Sequence, residues 1–225
     1  MSSPSRPFVR SALCAALCVA FGCRATAADA TPASGDEGWS TPSSSGGLTI
    51  FNRPRKDSSL KEYKAIGVIE AEPVVVRRVL EDTAEFPRFM PYVTEARVLS
   101  QQGDARIGYQ RISAPLVGDR DYTMRVQWET KRLADGTFSY RNQWRSANEL
   151  GPVEKPGVTR VKVNEGHWLL EPAGPQTTRA TYCIFCDAGG SIPSMVLNSA
   201  NKTAIPKLFE AIRKQVKVEK YSRAE

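Results

Sequence analysis

Three observations in this 225-residue sequence predict an α+β domain: a curved antiparallel sheet with one long C-terminal helix over its concave face. Strand-like segments follow one another between residues 94 and 187, broken only by turn residues. A single amphipathic helical run, Gly189 to Val216, comes near the end of the chain. Setting aside an N-terminal export segment leaves about 190 residues, enough for one domain with its own core. Serial strands favour an antiparallel meander, and a long terminal helix is the natural cover for its concave side.

The export segment is read from its layout. Arg6 and Arg10 precede the apolar run "SALCAALCVAFG", and small residues follow. A basic start, a short apolar stretch and a small-residue exit describe a secretory signal peptide; a membrane span needs about 20 apolar residues. "ATA" at 25–27 offers cleavage before Ala28, whereas "AFGC" resembles a bacterial lipobox that would leave Cys23 lipidated, with Phe21 bulkier than that pattern prefers. The expected organisation is a signal peptide at 1–27, a flexible linker at 28–37, a folded domain at 38–220 and a tail at 221–225. The product is exported to the periplasm or secreted, or alternatively held as a lipoprotein through Cys23.

Within the domain, "GLTIFNRP" and "KEYKAIGVIEAEP" alternate like strands and are rich in Ile, Val, Tyr and Phe. Pro73 then opens a helix, proline being suited to a first helical position, with Val75, Val76, Val79 and Leu80 at helical spacing. "FPRFMPYV" reads as a short helix or turn. The segments "ARVLSQ", "ARIGYQRIS", "RDYTMRVQWETKR", "GTFSYRNQWRS", "GVTRVKVNEGHWLLEP" and "TRATYCIFCDA" are six successive strands, separated by turn residues such as Gly103-Asp104 and Asp135-Gly136. In the third of these, alternation places Tyr122, Met124, Val126 and Trp128 on one face, read as inward. Thr123, Arg125, Gln127 and Glu129 take the solvent side. On neighbouring strands Tyr140, Asn142, Val163, Tyr182 and Ile184 are assigned inward. In the terminal helix Leu197, Ala200, Ala204, Leu208, Ile212 and Val216 form an apolar stripe at three- and four-residue steps. Pro206 interrupts that helix, removing a hydrogen bond and predicting a kink.

Several chemistries find little support. The chain carries 31 Lys and Arg against 24 Asp and Glu; without Arg6, Arg10 and Arg24 the basic count is 28 and the net charge +4. That is too mild for a nucleic-acid arm, and no aromatic-basic stacking motif appears. Cys183 and Cys186 lie in an alternating strand, where three residues span about 10 Å and point to opposite faces. They read as small buried hydrophobes, because a disulfide needs Cα atoms within about 7 Å. One histidine, His167, supplies neither a metal cluster nor a Ser-His-Asp set, though Glu165 stands close by in "EGHW". No metal, cofactor or catalytic group is assigned.

Four segments in order carry a family resemblance: "GLTIFNRP…LKEYKAIGVIEAEP", "PLVGDRDYTMRV", "PGVTRVKVNEGHWLLEP" and "DAGGSIPSMVLNSANKTAIPKLFEAIRK", Pro206 included. Together they resemble the START (StAR-related lipid transfer) domains from about Trp39 to Val218, here as a bacterial, exported member. The resemblance implies a helix-grip fold of the START/SRPBCC kind, with a sheet wrapped on the terminal helix around a lipid-sized cavity. Trp128 and Val216 apart, the inward residues and helix stripe named above then become a ligand-binding set of thirteen, with Tyr140, Asn142 and Tyr182 as polar anchors and Arg111 as a further candidate.

START domains often carry an inward arginine where this chain has Val126, which points to a less polar ligand than a phosphatidylcholine headgroup. Arg160 and the Arg120-Asp121 pair match recurrent family positions and are read as fold-setting ion pairs. The expected activity is non-catalytic binding, with transfer, of a sterol, fatty acid or phospholipid-like molecule by a monomer. Lys207, Lys214 and Lys217 would rest the basic outer face of the lid helix on anionic membrane. Two alternatives come from the wider superfamily: an aromatase/cyclase-like enzyme on a polycyclic substrate, and a quinone-binding accessory protein.

Overall fold

The structure, a computed structural model, describes residues 38–222 apart from 41, 57 and 116. The expected signal peptide and linker, Cys23 with its alternative processing, and residues 223–225 lie outside the described residues.

The chain opens with β1 (Ser43–Ser45), β2 (Leu48–Arg55) and β3 (Ser58–Ile69), then α1 (Pro73–Glu81), a 3₁₀ turn and α2 (Phe86–Phe89). Four long strands follow: β4 (Val93–Gln102), β5 (Ala105–Ala114), β6 (Gly118–Arg132) and β7 (Phe138–Ser146). A second 3₁₀ turn (Asn148–Leu150) leads to β8 (Thr159–Arg160), β9 (Val163–Gly174) and β10 (Thr177–Asp187), and then to helices α3 (Ser194–Gln215) and α4 (Glu219–Ser222). The strand order is β1-β2-β3-β10-β9-β7-β6-β5-β4, with β8 beside β6. The predicted meander is therefore present from β4 to β10. Its last strand pairs antiparallel with β3, from Thr178 opposite Ile69 to Ile184 opposite Tyr63, so the N-terminal strands extend the same sheet.

Local chemistry accounts for most boundaries. Pro73 starts α1 and Val76, Val79 and Leu80 bury its apolar face, while Val75 is half-buried. The strand expected to run through "GVTRVKVNEGHWLLEP" is instead two. Thr159 and Arg160 pair in parallel with Arg120 and Asp121. The Val161 amide then donates to the Asp121 carbonyl at 3.0 Å, and the next amide, Lys162, to the Asp187 carbonyl at 2.9 Å. Consecutive amides bonding different strands mark a crossing, not a continuous ladder. Thr123, expected in water, is fully buried because the Asn148–Leu150 turn covers that stretch of β6, with the Asn148 side-chain oxygen accepting from the Thr123 amide at 2.9 Å. Arg125, one turn of the alternation away, is exposed as expected.

α3 starts five residues later than Gly189. Gly189 and Gly190 both adopt positive φ (66° and 72°), a conformation that glycine tolerates and a helix does not use, and Pro193 caps the first turn. The helix then runs unbroken through Pro206. Its buried residues are Ile205, Phe209 and Ile212, with Val216 just beyond its end. After the helix, the expected tail is partly structural. Tyr221 in α4 is 3% exposed; its hydroxyl donates to Asp82 at 3.0 Å and its carbonyl accepts from Arg78 at 2.9 Å.

Candidate functional site

The concave face of the sheet, α3 and the α2–β4 turn enclose a cavity of about 310 Å³. Eight of the thirteen ligand-binding candidates meet there: Tyr122, Met124 and Val126 from β6, Asn142 from β7, Tyr182 and Ile184 from β10, and Ala204 and Leu208 from α3. They converge because strand alternation sends every second residue inward and the helix presents successive turns to the same space.

The other five lie elsewhere. Tyr140 is aligned with Asn142, but there the sheet carries α1: the Arg77 guanidinium sits 5.2 Å from the Tyr140 ring. Trp128, expected inward with Tyr122, is likewise packed core at 2% exposure under the same arginine. Val163 is one residue out of phase with Asn164, which does line the cavity, and a single-residue step reverses the face. Leu197 and Ala200 sit half-buried ahead of Asn201, the first α3 residue to reach the cavity. Ile212 is fully buried in packed core beyond it. The buried stripe of α3 is thus shifted by one residue from the expected one in its middle, where Ile205 and Phe209 are buried in place of Ala204 and Leu208, and coincides with it at Ile212 and Val216.

Other wall residues extend the same alternation. Trp144 follows Asn142 by two, and Trp168 stands directly opposite both Asn142 and Tyr182 in the ladders. The Tyr182 ring lies 4.5 Å from Trp168 and 5.8 Å from Trp144, and Phe209 of α3 packs on Trp168 at 5.1 Å. This aromatic stack is the floor. Some polar wall groups are bonded to one another: the Tyr122 hydroxyl donates to Gln110 (2.9 Å), and the Trp144 indole to Asn164 (2.9 Å). At the mouth, Tyr92 holds a positive φ of 67°, which costs a non-glycine residue about 1–2 kcal/mol. Two contacts keep it there: its carbonyl accepts from the Ser113 amide (2.9 Å), and its hydroxyl from Lys207 of α3 (3.0 Å).

The membrane-docking candidates differ among themselves. Lys207 is engaged with Tyr92, Lys214 forms an exposed pair with Glu210 at 2.6 Å, and Lys217 is exposed. Arg111 does not reach the cavity; it pairs with Asp119. The fold-setting pair is Asp121 with Arg160, bonded at 2.7 and 3.3 Å, while the Tyr109 hydroxyl donates to the same carboxylate at 3.1 Å. Arg120 takes no part in it. Its side chain faces the cavity instead, two residues before Tyr122 on the same side of β6.

Burial dominates the electrostatics. It pushes the Cys186 thiol up to about 12 and raises the phenols of Tyr122 and Tyr182, so all three stay neutral near pH 7. Cys183, on the opposite face, is pushed up to about 11, and both thiols are free. No histidine or carboxylate lines the cavity among the described residues. Glu165 is engaged by Arg55 at 2.5 Å. His167 is held down to about 4, by burial first and by Arg141 next, against an opposing pull from Glu62. A depressed folded value favours the neutral ring, so its contribution to stability is complete above about pH 6.5 and is lost as pH falls towards 4. In thermal melts across that window, His167→Gln should flatten the acid limb. An unchanged limb would mean that the ring titrates as in the unfolded chain.

A ten-stranded sheet, antiparallel except where β8 joins β6, gripping a C-terminal helix around a mostly apolar cavity defines a helix-grip ligand-binding protein. The START domain family model matches residues 22–221, and the chain belongs to that family. It is similar to an uncharacterized protein of Pseudomonas aeruginosa (29% identity over 164 residues, 72% of this chain and 79% of that one). The rat phosphatidylcholine transfer protein is 28% identical over 174 residues, covering 76% and 80% of the two chains. Among solved structures, a StAR-related lipid transfer protein of Xanthomonas axonopodis superposes with a TM-score of 0.71 at 25% identity, covering 80% of this chain and 99% of that one.

Proposed function

We propose that this protein carries one hydrophobic lipid in the cavity beneath α3 and passes it between membranes of the bacterial cell envelope, without chemistry on its cargo. The observation that carries the reading is the cavity itself, walled by Trp144, Trp168, Met124, Ile184 and Leu208. Burying lipid against such a wall is worth about 25 cal/mol per Å², and one or two polar groups suffice to orient it. The similarity to phosphatidylcholine and StAR-related lipid transfer proteins supports transfer as the purpose. A cyclase-like role would need a general acid or base near neutrality, and the groups on this wall favour binding over proton transfer. The signal-like residues 1–27 support export, as a soluble protein or one anchored through Cys23.

Loading then takes place at a membrane surface. Lys214 and Lys217 are exposed and, unlike Lys207, do not brace the cavity mouth, and each basic residue near anionic headgroups adds about 1 kcal/mol, screened by salt. In a vesicle assay with pyrene-labelled fatty acid, pyrene-labelled phosphatidylcholine and a fluorescent sterol, the protein should accelerate transfer of at least one probe. That rate should rise with anionic lipid and fall with salt, and Lys214→Glu with Lys217→Glu should slow it several-fold. Acceleration of none of the three would sink the carrier reading; rates indifferent to vesicle charge and to the double substitution would remove the basic face from it.

A further inference from the structure

We propose that Arg120 is a headgroup anchor and that the cargo is a single-headed anionic lipid whose carboxylate pairs with its guanidinium. This rests on the lipid-binding reading above and narrows its ligand class. Arg120 lines the cavity and is 4% exposed. Its Nε donates to the Ala188 carbonyl at 3.1 Å, and among the described residues no carboxylate pairs with it. The nearby acids are committed elsewhere: Asp119 to Arg111, Asp121 to Arg160 and Tyr109, and Asp187 to the Gly189 amide at 3.0 Å. Cys186, close to Arg120 on the same wall, is no counter-ion, because burial keeps its thiol protonated.

Arg106, also on the wall, makes the contrast. It donates to the Glu81 carbonyl (2.7 Å) and to Thr83 (3.3 Å), with the Glu81 carboxylate 3.7 Å away. One cavity arginine is neutralised by the protein; the other is not. A buried charge is costly unless an opposite charge meets it with good hydrogen bonds. Burial correspondingly lowers the affinity of Arg120 for its proton.

The free end of the fork has no hydrogen-bond partner among the described residues and lies against glycine backbone at ordinary contact distance. With Nε used, the two terminal nitrogens remain, and both flanking residues are glycines. A Cβ at Gly118 would lie 3.7 Å from one terminal nitrogen, and a Cβ at Gly190 would lie 3.5 Å from the other. Two coplanar N–H donors match the two oxygens of a carboxylate. A neutral sterol would leave the guanidinium unpaired, and a phosphatidylcholine could offer its phosphate but would bring a cation and two acyl chains with it. The volume of about 310 Å³ stands at the lower end of the usual range for ligand pockets, which suits one chain or a compact ring system over two acyl chains.

The test is displacement of Nile red from delipidated protein by palmitic acid and by 1-hexadecanol, which share a tail and differ in the headgroup. Palmitate should bind at least about tenfold more tightly. Arg120→Gln keeps a donor for the Ala188 carbonyl and should bring that ratio close to one, while Arg120→Lys retains part of it. Acetate and inorganic phosphate should not compete with palmitate at equal concentration. Equal binding of acid and alcohol by the wild type, a ratio that survives in Arg120→Gln, or competition by the free anions would each overturn the anchor. Should Arg120→Gln melt out, the wild-type ratio and the Lys variant still decide. Binding of neither palmitate nor hexadecanol would instead overturn the lipid reading itself.

Discussion

Ala204→Phe should leave the fold standing and evict the lipid. Ala204 is the smallest α3 residue on the cavity wall, between Asn201 and Leu208. A phenyl ring there projects into about 310 Å³ of space that the protein leaves open. In a close-packed interior the same insertion costs about 1–3 kcal/mol through displaced neighbours, and in a domain of this size each kcal/mol lowers Tm by about 2–4 °C. In a cavity the ring displaces cargo and leaves its neighbours in place. Native mass spectrometry of protein from its own cells should therefore show one lipid adduct per wild-type chain and none on the variant. Melts must compare delipidated forms, since bound ligand raises Tm by mass action; these should agree within about 3 °C. A retained adduct with a lowered Tm would make Ala204 ordinary core.

Removing one partner of the Asp121–Arg160 pair should produce the largest loss of stability. The Asp121 carboxylate is 1% exposed and accepts from both Arg160 and Tyr109, and Arg160 also donates to the Pro152 carbonyl at 2.9 Å. Asp121→Ala strands a largely buried guanidinium, and breaking such a pair costs about 3–5 kcal/mol, a fall in Tm of roughly 10 °C. Replacing both, as in Asp121→Leu with Arg160→Met, should recover much of that, because an apolar pair of similar volume carries no desolvation cost. A loss below about 1 kcal/mol for Asp121→Ala would class the pair with exposed ones. The contact also matters to the site. It fastens β8 to the part of β6 that presents Arg120 and Tyr122, so its loss should loosen the charged end of the cavity.

Why five of thirteen candidates missed the cavity follows from what periodicity measures. Alternation tells which residues share a face; it does not tell what covers that face at each point. Asn142 and Tyr140 are equivalent by period, yet one meets open space and the other meets Arg77 of α1. The phase itself fails where the chain leaves a ladder. The crossing at Val161–Lys162 uncouples β8 from β9, so alternation does not carry across it and Val163 faces away from the cavity while Val161 and Asn164 line it. In α3, Ala204 and Ile205 are adjacent and both reach the wall, a width that a narrow stripe understates.

Arg120 departs from its expected place in a fold-setting pair for a different reason. Adjacent opposite charges suggest a pair in the sequence, but on a strand neighbouring residues point to opposite faces, and Asp121 found its partner 39 residues on in Arg160. What the sequence determined by itself was local: strand after strand with its turns, the helix start at Pro73, the long amphipathic cover, and through ordered motifs the family. Those follow from backbone stereochemistry and side-chain period, which act over a few residues. Only the tertiary structure decided which inward positions border space, which of two cavity arginines keeps an unmatched charge, and which lysines are exposed and which brace the cavity mouth. Each of these depends on atoms brought together from distant parts of the chain, where burial and pairing are settled by packing.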